Sequence, residues 1–271
     1  EGFMELTVAE VIVESLKAEG IKDLPGVSGS SLFPLLDVLY HTPQIRYIQS
    51  QHEQGASYMV NGYARSTRKP AVCLVSPGGG MTNALSAVAQ AYATATPHIL
   101  ISVEEPTRLT GMGTSLAHSL DTEALFKPVT KMAVKVENPE NVAESIQMAF
   151  RVAGTGRKGP VYLGFPRDFL ERKINWQMTS PSQYRSDCRV RGDFREIERA
   201  AELLIAAKKP VIMADDAAVW DDAQKVLLDL AERMAIPVVA TEGNKGLIPD
   251  DHPLAMGVAS SHGPQHAIYT L

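Results

Sequence analysis

Residues 70 to 75 (Pro-Ala-Val-Cys-Leu-Val) form an unbroken apolar run. It ends in Ser76-Pro77-Gly78-Gly79-Gly80 and passes into a small-residue helical pattern, Thr82 to Tyr92. A strand without polar alternation must be buried on both faces, which a parallel sheet with helices on either side achieves. The same strand-loop-helix unit recurs before and after it. Thr7-Val8-Ala9-Glu10 reads as a capping box, followed by Val8, Val11, Ile12 and Leu16 at helical spacing and a stop at Gly20. A short strand (Ile21 to Leu24), a loop (Pro25 to Ser31) and a helix through Leu39 come next. A strand at Ile45 to Ile48 then leads to a helix with Ala56, Met59, Val60 and Tyr63 on one face. Beyond Tyr92 the pattern gives strands at His98 to Val103, Lys131 to Val136 and Pro160 to Phe165, with a helix at Asn141 to Ala153. The expected fold is α/β: a doubly wound, parallel, six-stranded sheet with helices on both faces.

Residues 5 to 170 are assigned to this domain, and residues 1 to 4 to a cloning remnant or unordered start with Met4 as the native first residue. Residues 171 to 192 are polar, carry Ser180, Pro181, Ser182 and Ser186, and read as a linker. A second alternation follows: helix Glu196 to Ala207, strand Pro210 to Ala214, helix Asp221 to Ala235, strand Pro237 to Ala240. Residues 193 to 271 are read as part of a second Rossmann-like domain, truncated because roughly two βα units are too few for a stable open sheet.

Net charge is −5, with Lys and Arg scattered among Asp and Glu, so no nucleic-acid footprint is present. The most apolar stretch, Ala84 to Val103, is broken by Gln90, Tyr92, Pro97 and His98 and reads as helix then strand, not a membrane span. Cys73 and Cys188 are too few for a disulfide framework. Cys73 reads as a buried structural thiol, and a cytoplasmic location is expected.

Three loops, and a fourth that holds His118, carry residues suited to chemistry. Glu53 opens a helix just after a strand, where open α/β sheets bind ligands, although an acid there also complements the helix dipole. Ser76 to Gly80 joins a buried strand to a helix, and its glycines allow close approach of a ligand to backbone N–H groups; a tight turn without a ligand explains them equally. It is neither a Walker loop nor GxGxxG. In Gly26 to Ser31, Ser30 or Ser31 is expected to cap the next helix. His118 lies in a polar loop after the fourth strand. All these loops follow strands of one parallel sheet and converge on its carboxyl edge.

Several stretches together resemble the thiamine-diphosphate enzymes that include acetolactate synthase, pyruvate oxidase and benzoylformate decarboxylase. They are Pro25 to Ser31, His52-Glu53-Gln54-Gly55-Ala56 with Asn61-Gly62-Tyr63-Ala64-Arg65, the glycine loop ending in Thr82-Asn83, and Thr130-Lys131. Gly159-Pro160-Val161-Tyr162 and Phe165-Pro166-Arg167-Asp168 follow, then Lys209-Pro210-Val211, Ile236-Pro237-Val238 and Lys245-Gly246 through Asp251-His252-Pro253-Leu254. The block from His52 to Arg65 and the order of the set are the most specific features.

The resemblance implies that Glu53 is catalytic, hydrogen-bonding the aminopyrimidine nitrogen of thiamine diphosphate in the relay that removes the thiazolium proton. The cofactor then serves as an electron sink for a 2-keto acid. It places Ser76, Gly78, Gly79, Gly80, Asn83 and Gly26 with Glu53 around the cofactor, and Ser28, Gly29, Ser30, Ser76 and His118 on the substrate side. It also implies that Mg²⁺ and the diphosphate are bound by a Gly-Asp-Gly domain outside this chain, since Gly192-Asp193 is followed by Phe194. The active site would lie against the diphosphate domain of a second protomer in a homodimer or homotetramer, with Met59, Tyr63, Met81 and Tyr92 as candidate interface residues. There are departures from the family. Some decarboxylases carry histidine at the position of Ser76, and carboligating members usually carry glutamine at that of His118. Ala214-Asp215-Asp216-Ala217 replaces the glycine run of flavin-binding members, so FAD is not expected. A non-catalytic assembly or regulatory module is the competing reading, against which Glu53 argues. A metal pair at His262 and His266 lacks a third ligand.

Overall fold

The computed structural model describes residues 2–109, 118–185 and 190–270. The chain divides into two compact units, Glu1–Ser186 and Asp187–Leu271.

In the first unit the elements run β1 (Met4–Thr7), α1 (Val8–Ala18), β2 (Asp23–Gly26), α2 (Phe33–Tyr40), β3 (Arg46–Gln49), α3 (Glu53–Thr67), β4 (Ala71–Val75), α4 (Gly79–Ala93) and β5 (His98–Glu104). They continue with α5 (Thr122–Phe126), β6 (Met132–Lys135), α6 (Val142–Gly154), β7 (Val161–Pro166) and β8 (Lys173–Trp176). Six strands form one sheet in the order β3-β2-β4-β5-β7-β6, every neighbouring pair parallel. The apolar runs divide by alternation, as the strand period of two requires. Val72, Leu74, Ile99, Ile101, Leu163 and Phe165 join the core under α1, α2 and α6. Ala71, Cys73, Val75, Leu100 and Tyr162 join the core under α3, α4 and α5. Each such large aliphatic side chain contributes about 1.5–3 kcal/mol on burial. The expected capping box starts α1: Glu10 N–H donates to Thr7 Oγ1, and Thr7 N–H donates to Glu10 Oε2.

Several local expectations are corrected. Strand β2 runs on to Gly26, so Pro25 and Gly26 belong to the sheet and the loop starts at Val27; Pro25 is tolerated because β2 meets β4 only at Gly26. Helix α4 begins at Gly79, so Gly79 and Gly80 form its first turn. Ser30 and Ser31 cap nothing: they lie in a 3₁₀ turn, Ser30–Leu32, and neither that turn nor α2 has a side-chain cap. On α3 the buried stripe is Glu53, Ala56, Ser57, Val60, Asn61 and Ala64, while Met59 and Tyr63 are exposed. β1 and β8 form an antiparallel ribbon, Met4 facing Trp176, so Met4 is ordered and part of the expected linker is strand.

The second unit holds α7 (Phe194–Ala206), β9 (Ile212–Ala214), α8 (Asp216–Trp220), α9 (Gln224–Met234), β10 (Val238–Ala240), β11 (Ala255–Val258) and α10 (Gln265–Thr270). Its sheet is parallel, in the order β11-β10-β9. The helix expected from Asp221 to Ala235 is α9, which starts three residues later after a turn at Asp222 with φ +61°, and the separate short helix α8 precedes it. Strand β11 is a third strand beyond the two that were expected.

Candidate functional site

The carboxyl edge of the six-stranded sheet gathers most of the expected residues. Gly78 turns the chain between β4 and α4 with φ +65°, a value that favours glycine. The first turn of α4 then runs beside Ser76 and Glu53. A Cβ built on Gly80 would lie 2.6 Å from Ser76 Oγ and 3.2 Å from Glu53 Oε1, so Gly80 packs too closely on Ser76 and Glu53 for any larger side chain. A Cβ on Gly29 would lie 3.1 Å from Ser76 Cβ, which brings the β2–α2 loop to the same point. His118 packs on the other side of the turn, its Nδ1 2.5 Å from where a Gly78 Cβ would be.

Glu53 opens α3 and is 9% exposed. The preceding residue caps that helix: His52 Nδ1 accepts from Gln54 N–H at 3.2 Å. Asn83 Nδ2 donates to Glu53 Oε2 at 3.0 Å. Among the described residues Oε1 receives no hydrogen bond and lies beside Gly80. The carboxylate is therefore oriented, with one oxygen held and the other available. Below it, burial pushes the Cys73 thiol up to about 12, while Ser57 pulls it down and the Glu53 charge adds to the rise. That thiol is inert, in keeping with a structural role.

Not every expected residue joins this group. Gly26 is buried in the sheet, where a Cβ would meet Leu74 O at 2.4 Å; its lack of a side chain is explained by strand packing. Ser28 and Ser30 are exposed, and Ser28 N–H donates to Gln49 Oε1 at 3.3 Å. Gly79 is exposed on the outer side of the turn. Met81, expected at an interface, is buried, with the Tyr162 hydroxyl 3.9 Å from its sulfur. The segment from 110 to 117, including Ala117 beside His118, and Cys188 lie outside the described residues. Among those described, no three His, Cys, Asp or Glu side chains group to hold a metal, and no helix is long and apolar enough to cross a membrane.

Sequence reasoning passed over Glu104. It ends β5, is 3% exposed, and accepts a hydrogen bond from the Tyr162 hydroxyl. The available signal was an acid pair, Glu104-Glu105, closing an apolar strand.

A doubly wound sheet with an oriented glutamate and a glycine turn at its carboxyl edge is a ligand-binding α/β domain of the kind that receives cofactors at that edge. Comparison with known families identifies which kind. The thiamine pyrophosphate enzyme N-terminal TPP-binding domain matches residues 6–125, and the thiamine pyrophosphate enzyme central domain matches residues 197–271. The chain belongs to the thiamine pyrophosphate enzyme family. It is 35% identical over 268 residues to a probable acetolactate synthase large subunit of Methanocaldococcus jannaschii, covering 97% of this chain and 45% of the relative. It is 34% identical to the acetolactate synthase isozyme 1 large subunit of Escherichia coli (98% and 46%). With the Corynebacterium glutamicum acetolactate synthase large subunit it shares 32% (98% and 42%). The chain thus spans less than half the length of these relatives.

Proposed function

We propose that this chain supplies the aminopyrimidine side of a thiamine diphosphate site in an acetolactate-synthase-like enzyme acting on a 2-keto acid. The observation that carries the reading is the Glu53 carboxylate, nearly buried, with Oε2 held by Asn83 and Oε1 beside Gly80 with no hydrogen bond among the described residues. Those residues fit the group: a ring nitrogen needs a fixed carboxyl partner, and Glu53 is held by Asn83 through one oxygen with the other left without a hydrogen bond among the described residues. When bound, thiamine diphosphate supplies the electron sink for decarboxylation and carboligation. Glu53 holds or accepts a proton at Oε1, and Asn83 keeps that oxygen aimed. Ser76, Gly78 and Gly29 line the turn, and His118 stands on the substrate side.

In this reading the diphosphate and Mg²⁺ are held outside this chain by a partner protomer, in a homodimer or homotetramer that works in the cytoplasm. Asp215 supports a flavin-free central unit. Its carboxylate accepts from Thr241 Oγ1 at 2.6 Å and Asn244 Nδ2 at 3.0 Å, fixing an acid beside β9 where a pyrophosphate would be repelled. The test is acetolactate formation from pyruvate by the full-length protein, with the 271-residue chain plus thiamine diphosphate and Mg²⁺ as control. Turnover by the full-length protein alone is expected. Turnover of pyruvate or benzoylformate by the shorter chain would overturn the assignment of the diphosphate site.

A further inference from the structure

Glu104 has no task in the mechanism above, yet it sits at the carboxyl edge of the central sheet with almost no exposure. Its carboxyl is enclosed from three directions. The Tyr162 hydroxyl of β7 donates to Oε1, and the Thr122 hydroxyl at the start of α5 faces the same group. On the third side, Gly164 has no room for a side chain, because its Cβ would fall 2.3 Å from Oε1. Tyr162 in turn stacks on Phe126 of α5, with ring centroids 4.3 Å apart and planes 7° from parallel.

These contacts join the two ends of one connection. Glu104 is the last residue before the segment that links β5 to α5, and Thr122 is the first residue after it. A second attachment holds the segment where it leaves the sheet: Thr107 N–H and Oγ1 donate to the two oxygens of Asp168 at 2.8 and 2.6 Å. His118 lies four residues before Thr122 and rests against Gly78. Four residues reach at most about 14 Å fully extended, so the place of Thr122 limits where His118 can lie.

We propose that Glu104 is a positioning residue: through Tyr162 and Thr122 it clamps the start of α5, and with it residues 118–121, so that His118 stands over the Ser76–Gly80 turn. The clamp itself is a statement about this chain. Its effect on substrate rests on the proposed cofactor site.

The experiment separates the two. The histidine ring signals of the chain are followed by ¹⁵N NMR, with His118→Gln assigning one signal and buried His98 reporting that the unit is folded. In Glu104→Ala the His118 signal shifts as the ring leaves its place against Gly78 while the His98 signal stays, and Glu104→Gln, which keeps the shape and the acceptor, restores it. Where Glu104→Ala fails to fold, Tyr162→Phe and Thr122→Val make the same displacement in a milder form. An unchanged His118 signal in any folded one of these three variants overturns the clamp. In the full-length protein, Glu104→Ala or Thr122→Val raises KM for the 2-keto acid about fivefold or more, roughly 1 kcal/mol, with kcat within a factor of about two. A displaced His118 signal with unchanged KM leaves the clamp standing and removes His118 from the substrate side.

Discussion

His98 opens β5 with no exposed surface, and its hydrogen bonds assign its proton. Asn61 Nδ2 donates to Ala87 O at 2.8 Å and Gln90 Oε1 at 3.1 Å, so Asn61 Oδ1 is the acceptor for His98 Nδ1, 2.8 Å away. Nε2 is left as a buried lone pair without a hydrogen-bond partner among the described residues. Protonating it would place a cation where nothing accepts, and burial accordingly lowers the pKa from 6.5 to about 3. The unfolded chain therefore binds a proton that the folded chain refuses, and stability falls as pH drops through the window from 6.5 to 3. At about 1.4 kcal/mol per unit the loss is about 3 kcal/mol by pH 4.5 and about 5 kcal/mol over the whole window. That is a large share of a typical total of about 5–15 kcal/mol. The assay is urea unfolding at pH 7 and 4.5, followed by the fluorescence of buried Trp176 in a Trp220→Phe background, so that only the first unit reports. In His98→Gln the difference between the two pH values should shrink to about 1 kcal/mol or less, whatever the variant's starting stability. Equal losses with and without His98 would refute the reasoning. The depressed Glu10 and Asp168 carboxyls contribute only as pH falls through the ordinary carboxylate range and below, and they cancel in the comparison.

Three further outcomes are expected. Burial raises the Glu104 pKa above 4.5, against the hydrogen bonds of Tyr162 and Thr122 and the charge of Lys135, with Glu123 adding to the rise. Its stabilisation is therefore complete below the ordinary carboxyl range and lost as pH rises through the raised value, and Glu104→Gln in the His98→Gln background should flatten that fall in urea titrations. Gly80→Ala should leave the unfolding free energy within about 1 kcal/mol, since alanine favours the helix. Its methyl would crowd Ser76 Oγ and Glu53 Oε1, so calorimetry should show thiamine diphosphate affinity of the full-length protein falling about tenfold or more. Met59, Tyr63 and Tyr92 are 44%, 40% and 40% exposed, and the full-length protein should sediment as a dimer or larger that Met59→Glu with Tyr63→Glu weakens; a monomeric parent would contradict that face as an interface.

The sheet was legible because its strands are continuous apolar runs between loops, a pattern that burial on both faces leaves little freedom to vary. The site was partly legible for a related reason: Glu53, Ser76 and Gly80 each follow a strand of one parallel sheet, so their convergence follows from topology. What escaped was decided by distant partners or fine spacing. Met4 to Thr7 and Lys173 to Trp176 are short and mixed in polarity, and only their pairing across the chain makes them strands. Met59 and Tyr63 stand one position away from the buried Val60 and Ala64, a step of about 100° that turns them outward. Glu104 and Tyr162 are 58 positions apart in sequence, and only the β5–β7 pairing brings them together. The hydroxyls of Ser30 and Ser31 suited a cap, but the chain enters α2 through a 3₁₀ turn that leaves no capping position for them.

The central claim is that the Glu53 carboxylate, oriented by Asn83 through Oε2, relays a proton through Oε1 for a bound cofactor. Glu53→Gln preserves the size, the burial and one acceptor oxygen while removing the proton transfer. The decisive measurement is kcat of acetolactate formation by the full-length protein and this variant, with thiamine diphosphate affinity measured alongside. The account predicts a fall in kcat of about 10²-fold or more, the usual size of a general acid–base contribution, at nearly unchanged protein stability. Activity of Glu53→Gln within a factor of about two of the parent would contradict it.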